Sequence, residues 1–110
     1  MRAATTTPPR TDQQRAAALT AALAARQARA TLRQDLKARR LSAADVVRGA
    51  DDNPIWAGLR VSWLLECVPG MGEVRTSRLM ESVGISPTRR VRGLGVHQRE
   101  ALLAALAGLA

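Results

Sequence analysis

Two short glycine-bracketed runs carry the chemistry open to this chain: Pro69-Gly70-Met71-Gly72 and Gly93-Leu94-Gly95. Glycine permits positive φ and lets the backbone approach another surface with no Cβ in the way. Where such a run opens a helix, the first amide N–H groups lack intrahelical acceptors, and with the helix dipole they present partial positive charge to an anion. The first run fits that arrangement. An apolar helix over residues 61–68 leads into Pro-Gly-hydrophobe-Gly, a second helix begins at once, and Met71 is expected to drop between the two as a plug. This helix-hairpin-helix pattern holds a phosphate without reading a base. Arg75 and Arg78, on the first turns of the second helix, add charge beside that phosphate, whereas Glu73 suits a helix N-terminus but opposes an anion. Taken alone, the pattern also fits a tight turn that packs and binds nothing.

The second run is preceded directly by Thr88-Arg89-Arg90-Val91-Arg92, with no acid anywhere from Ser82 to Arg99. Pro87 is expected to keep the approach extended rather than helical. An extended arginine run enters a groove that a helix cannot, and arginine inserted into the minor groove recurs among architectural DNA binders. Gly93-Leu94-Gly95 is expected to repeat the Gly-Met-Gly geometry about 23 positions later. The alternative is an ordinary exposed basic loop.

These runs need helices to position them, and the rest of the chain supplies helices. Gly84-Ile85 fits a Schellman cap closing the helix after the first hairpin. A last helix starts at Val96, with Leu102, Leu103 and Leu106 among its apolar positions. Ser42 and Asp45 form a capping box ahead of a short helix ending near Gly49, and Asp51-Asp52-Asn53-Pro54 is expected to cap a further short turn, with Pro54 at its first helical position. Trp56 and Trp63 are expected in the core, where they would supply much of the buried volume. Residues 1–11 read as a flexible tail, with Thr11 or Asp12 as the expected helix start. From 12 to about 40 nothing breaks a helix; about 28 residues would extend about 42 Å. Its apolar content is thin, so its C-terminal half is expected to dock and its N-terminal half to project. Along it Arg26, Arg29, Arg33, Lys37 and Arg40 recur every three or four residues on one stripe. Such a stripe is either a solvated face or a second contact for an anion. Its separation in sequence from Arg89–Arg92 leaves room for two faces that bridge two duplexes.

Composition narrows the partner. Of 110 residues, 17 are Lys or Arg and 9 are Asp or Glu, a net charge of +8, so a polyanion is expected, nucleic acid most commonly. There is no Phe or Tyr, and Ala and Leu dominate, which points to an all-helical fold. One cysteine, Cys67, and one histidine, His97, offer neither a disulfide framework nor a metal cluster. No apolar stretch approaches the ~18 residues of a membrane span, and no secretory h-region follows Met1. The expectation is a soluble, cytoplasmic chain with no cofactor and no small-molecule substrate. Enzymatic readings such as glycosylase or nuclease fail because Lys37 is remote from the hairpin and Glu66, Glu73 and Glu81 lack a metal-site arrangement.

Residues 61–106 resemble the actinobacterial integration host factor family. The similarity is carried by Val61-Ser62-x-Leu64-Leu65-Glu66, Pro69-x-x-Gly72-x-Val74, Leu79-Met80, Gln98-Arg99-x-Ala101-Leu102-Leu103 and above all Pro87-Thr88-Arg89-Arg90-Val91-Arg92-Gly93-Leu94-Gly95. The resemblance implies a long N-terminal helix (12–40) packed on a helix-two-turns-helix DNA-binding domain (41–110). It implies a monomer that binds duplex DNA with little sequence preference and acts on nucleoid structure and DNA topology. It points to Arg89, Arg90 and Arg92 as groove and backbone contacts, and to the hairpin from Pro69 to Gly72 as a phosphate contact. The other reading is a structural RNA-binding protein of the ribosomal small-subunit type, since such proteins use a similar two-turn helical motif.

Overall fold

A computed structural model describes residues 11–109, so the tail expected over 1–11 lies outside the described residues except for Thr11. The first helix, α1 (Asp12–Lys37), starts where the chain chemistry asks it to. Thr11 accepts from the Gln14 amide, and the Gln14 side chain accepts from the Thr11 amide in return. Its end is less expected. No glycine or proline stops it, yet it closes in a Schellman motif with Arg39 in the left-handed region at φ 61°. The Arg40 amide donates to Asp35 O (2.9 Å) and the Arg39 amide to Leu36 O (3.2 Å). Where that motif commonly carries an apolar contact, Arg40 Nε instead donates to Asp35 Oδ1 at 2.8 Å. The helix therefore stops short of Arg40, and this residue leaves the basic stripe.

A non-glycine residue in that conformation carries about 1–2 kcal/mol of steric cost. Arg39→Gly is expected to raise stability by roughly 0.5–1 kcal/mol, because glycine's larger unfolded-state entropy offsets part of the relief. The check is a higher urea midpoint at unchanged m-value.

Short helices follow: α2 (Ala43–Gly49), α3 (Pro54–Ala57), α4 (Val61–Glu66), α5 (Gly72–Ser82) and α6 (Val96–Ala107), with 3-10 turns at Ala50–Asp52 and Val91–Gly93. The caps expected from sequence are present. Ser42 and Asp45 exchange hydrogen bonds at 3.1 Å, which holds the Asp45 carboxyl below its ordinary value. Asn53 Oδ1 accepts from the Ile55 and Trp56 amides, with Pro54 at the first helical position. After α5, Gly84 (φ 71°) and the buried Ile85 complete the expected Schellman cap, the Ile85 amide donating to Met80 O at 2.9 Å.

The fold is all-α. Helix α4 packs on α5, α2 on α6, and α1 against α3. Wholly buried Leu64, Leu65, Leu102, Val46, Val47 and Val61 form the centre; each such side chain contributes about 1.5–3 kcal/mol relative to exposure. The tryptophans are not at that centre. Both are half-buried on its rim, Trp56 lying across Gly49, where a Cβ would come within 2.8 Å of its ring. Branched aliphatic residues on short helices interdigitate closely, so the core fills without indoles. Only Leu32 and Leu36 of α1 are buried; Leu19 and Leu23 are 61% and 53% exposed, and the described chain measures 61 × 28 × 26 Å.

Candidate nucleic-acid interface

The hairpin between α4 and α5 has the backbone that its glycines suggest. Gly70 and Gly72 have φ of 82° and 63°, and nothing lies within 4 Å of where a Cβ would stand on either, so conformation rather than crowding favours glycine here. Met71, 5% exposed, is driven between the helices and donates its amide to Val68 O at 3.1 Å. No side chain caps the start of α5, so its first amides have no side-chain acceptor. Arg75 folds back over this turn, Nη1 donating to Gly70 O at 2.9 Å, while Arg78 is exposed on the next turn.

The second turn is built differently. Gly93 closes the 3-10 turn and Gly95 is the N-cap of α6 at φ −69°, so neither adopts positive φ and Gly-Leu-Gly does not repeat the hairpin. The reason for glycine changes accordingly. A Cβ on Gly93 would come within 3.2 Å of Arg89 Cδ, so Gly93 gives the Arg89 side chain room to lie over the turn, where its Nη1 donates to Gly93 O at 3.0 Å. Gln98 braces this region twice: its Oε1 accepts from the Gly95 amide at 3.0 Å, and its Nε2 donates to Gly84 O at 2.8 Å.

The arginine run is also less extended than Pro87 suggests. Pro87 and Thr88 sit in a turn, with the Arg89 amide donating to Ser86 O at 3.1 Å. Arg90 then pairs with Arg60 in an isolated antiparallel bridge, the Val61 amide donating to Arg89 O (3.0 Å) and the Val91 amide to Leu59 O (2.9 Å). Val91 is buried, while Thr88, Arg89, Arg90 and Arg92 are exposed. The backbone is thus pinned and the guanidinium groups are displayed. Arg90 Nη1 donates to Gly58 O, and Arg92 Nη1 would lie 3.5 Å from a Cβ on Gly58.

The long-helix stripe reduces to Arg26, Arg29, Arg33 and Lys37, all exposed. They line one cleft with Trp63, over whose ring the Arg33 guanidinium sits at 5.5 Å from the centroid. An adjoining cleft is shared by Arg29 with Arg90 and Arg92. Stripe and loop are therefore neighbours rather than the two separate faces their distance in sequence suggests. Cys67 is buried beneath this region; burial pushes its thiol up, against the opposing charge of Arg33. His97 is exposed on the first turn of α6. Arg60 carries no signal in sequence, being an isolated arginine whose partner lies 30 positions on.

Two helices joined by a tight glycine turn, followed by a second turn and a closing helix, define a helix-two-turns-helix domain. The S13-like H2TH domain family matches residues 36–106. The chain is similar to the integration host factor of Mycobacterium tuberculosis, 46% identical over 96 residues that cover 87% of this chain and 91% of that protein. It is likewise 47% identical to the integration host factor of Streptomyces coelicolor over 91 residues, 83% of this chain and 85% of that protein. Among solved structures, sIHF bound to an 8-bp palindromic DNA superposes with a TM-score of 0.75 at 40% identity, covering 79% of this chain and 98% of that one. The chain belongs to the integration host factor family.

Proposed function

We propose that this protein is a nucleoid-associated architectural DNA-binding protein that grips duplex DNA by its backbone with little regard to sequence. The observation that carries the reading is the acid-free display of Arg89, Arg90 and Arg92 on a segment whose backbone is held by the Arg60–Arg90 bridge and buried Val91. A pinned backbone lowers the ordering cost of these arginines on meeting phosphate, and their planar forks suit a narrow groove. The uncapped amides at the start of α5 from Gly72, with Gly70, Met71, Arg75 and Arg78 around them, supply a second, base-blind phosphate contact. Thr88, Gly93 and Gly95 frame the arginine run, and Arg26, Arg29, Arg33 and Lys37 extend the positive surface along α1. Similarity to the DNA-bound sIHF structure supports the same partner. The output is altered DNA topology and compaction.

Neutralising roughly five to seven phosphates gives a slope of log affinity against log salt of about −5 to −6 on duplex DNA. Fluorescence anisotropy across a salt series reads this directly. Run with a structured RNA competitor at equal salt, the same titration separates the two nucleic-acid readings. Preference for B-form DNA is the expected result, and preference for RNA transfers the site to a ribosomal-type role.

A further inference from the structure

Arg60 and Arg90 face one another across the antiparallel bridge. The flanking bonds, Val61 N–H to Arg89 O and Val91 N–H to Leu59 O, make them a non-hydrogen-bonded pair, the arrangement that brings opposed side chains closest and onto one side. Like charges so placed repel and destabilise the pairing. Both line a cleft of about 560 Å³ together with Arg29 of α1, Arg92, half-buried Trp63 and exposed Ile55. No acid lines this cleft, and among the described residues no carboxylate pairs with any of the four arginines. Four arginines lining one open cleft without a counter-charge is an arrangement that an anion relieves.

We propose that this cleft is a phosphate clamp in which Arg60 opposes Arg90 across one strand of the bound duplex, so that α1 and the arginine loop hold a single DNA molecule. The proposal rests on the duplex-binding reading above and deepens it by assigning Arg60 a contact and by making the two basic surfaces one track. Arg29 belongs to both clefts, so a strand leaving Arg90 and Arg92 meets Arg33 and Lys37 next. Trp63 lines both clefts and is therefore beneath the strand; Ile55 offers its apolar edge to sugars passing the rim.

Two measurements on the full chain test it. Trp56→Phe leaves Trp63 as the single indole, and its emission is expected to change during titration with a 20-bp duplex, with the same midpoint as the anisotropy of the labelled DNA. Arg60→Ala is expected to lower affinity roughly 5- to 10-fold near 0.1 M salt and to shrink the salt slope by about 1. Emission from Trp63 that stays constant through saturation, or an Arg60→Ala protein with native affinity and slope, overturns the clamp. The Trp63 titration keeps Arg60 intact and so does not depend on how well the alanine variant folds. Loss of binding in an Arg89, Arg90, Arg92 triple variant alongside a silent Trp63 removes the clamp alone; a triple variant that binds normally removes the underlying reading.

Discussion

Replacing Arg89, Arg90 and Arg92 together with alanine is expected to weaken duplex binding about a thousandfold or more. Each lost charge-assisted contact with phosphate or groove contributes about 1.5 kcal/mol, so three remove about 4–5 kcal/mol. The salt slope should fall by nearly 3, since three fewer counterions are released. Folding should survive, because Val91 stays buried and the bridge to residues 59–61 is made by backbone groups. The bonds from Arg89 to Gly93 O and from Arg90 to Gly58 O are exposed, and losing them costs about 1 kcal/mol each at most. Circular dichroism reports the fold and a mobility-shift titration the binding. A triple variant with unchanged helicity and unchanged affinity would show that the run is a solvated loop.

Gly72→Val is the second large effect, and it acts on two quantities at once. At φ 63° a β-branched residue is an outlier, and the strain should cost about 2 kcal/mol of stability although the surrounding space is open. The added methyls also stand at the mouth of the α5 amides, where they hold a phosphate away, and affinity should fall about tenfold at a temperature where the variant is folded. Gly72→Ala separates the two contributions: it shares most of the backbone strain but little of the bulk. Thermal melts should therefore rank both variants below the native protein, while anisotropy should single out the valine. Native affinity in folded Gly72→Val would mean that the hairpin packs helices and touches no DNA.

What could be read in the sequence was local chemistry. Thr11, Ser42, Asn53 and Gly84 all act within four residues of themselves, and each cap is found where propensity and spacing place it. The Gly70-Met71-Gly72 turn is legible for the same reason, as two helices in immediate succession leave few backbone solutions. Identical spacing misled at Gly93-Leu94-Gly95. There glycine serves the packing of the Arg89 side chain, which no local pattern reveals. The end of α1 is not legible, because the chain turns through Arg39 in the left-handed region with neither glycine nor proline to signal it, and the Arg40–Asp35 pair that accompanies the stop is a contact of side chains. Pairings across the chain were out of reach: the bridge joining Arg60 to Arg90 and the closeness of Arg29 to Arg92 arise only once α1 packs on α3. Bulk alone suggested tryptophans at the centre, whereas Trp63 sits where indole can meet both core and guanidinium.

The overhang of α1 bears on how the molecule behaves in solution. Its radius of gyration, 17.6 Å, exceeds the roughly 13 Å of a rounded chain of this length. Diffusion and sedimentation will consequently be retarded, and gel filtration calibrated with spherical standards will overstate the mass of a lone 11.8 kDa chain. An early elution volume is thus no sign of pairing between copies; light scattering, which weighs particles regardless of outline, is the measurement that counts them.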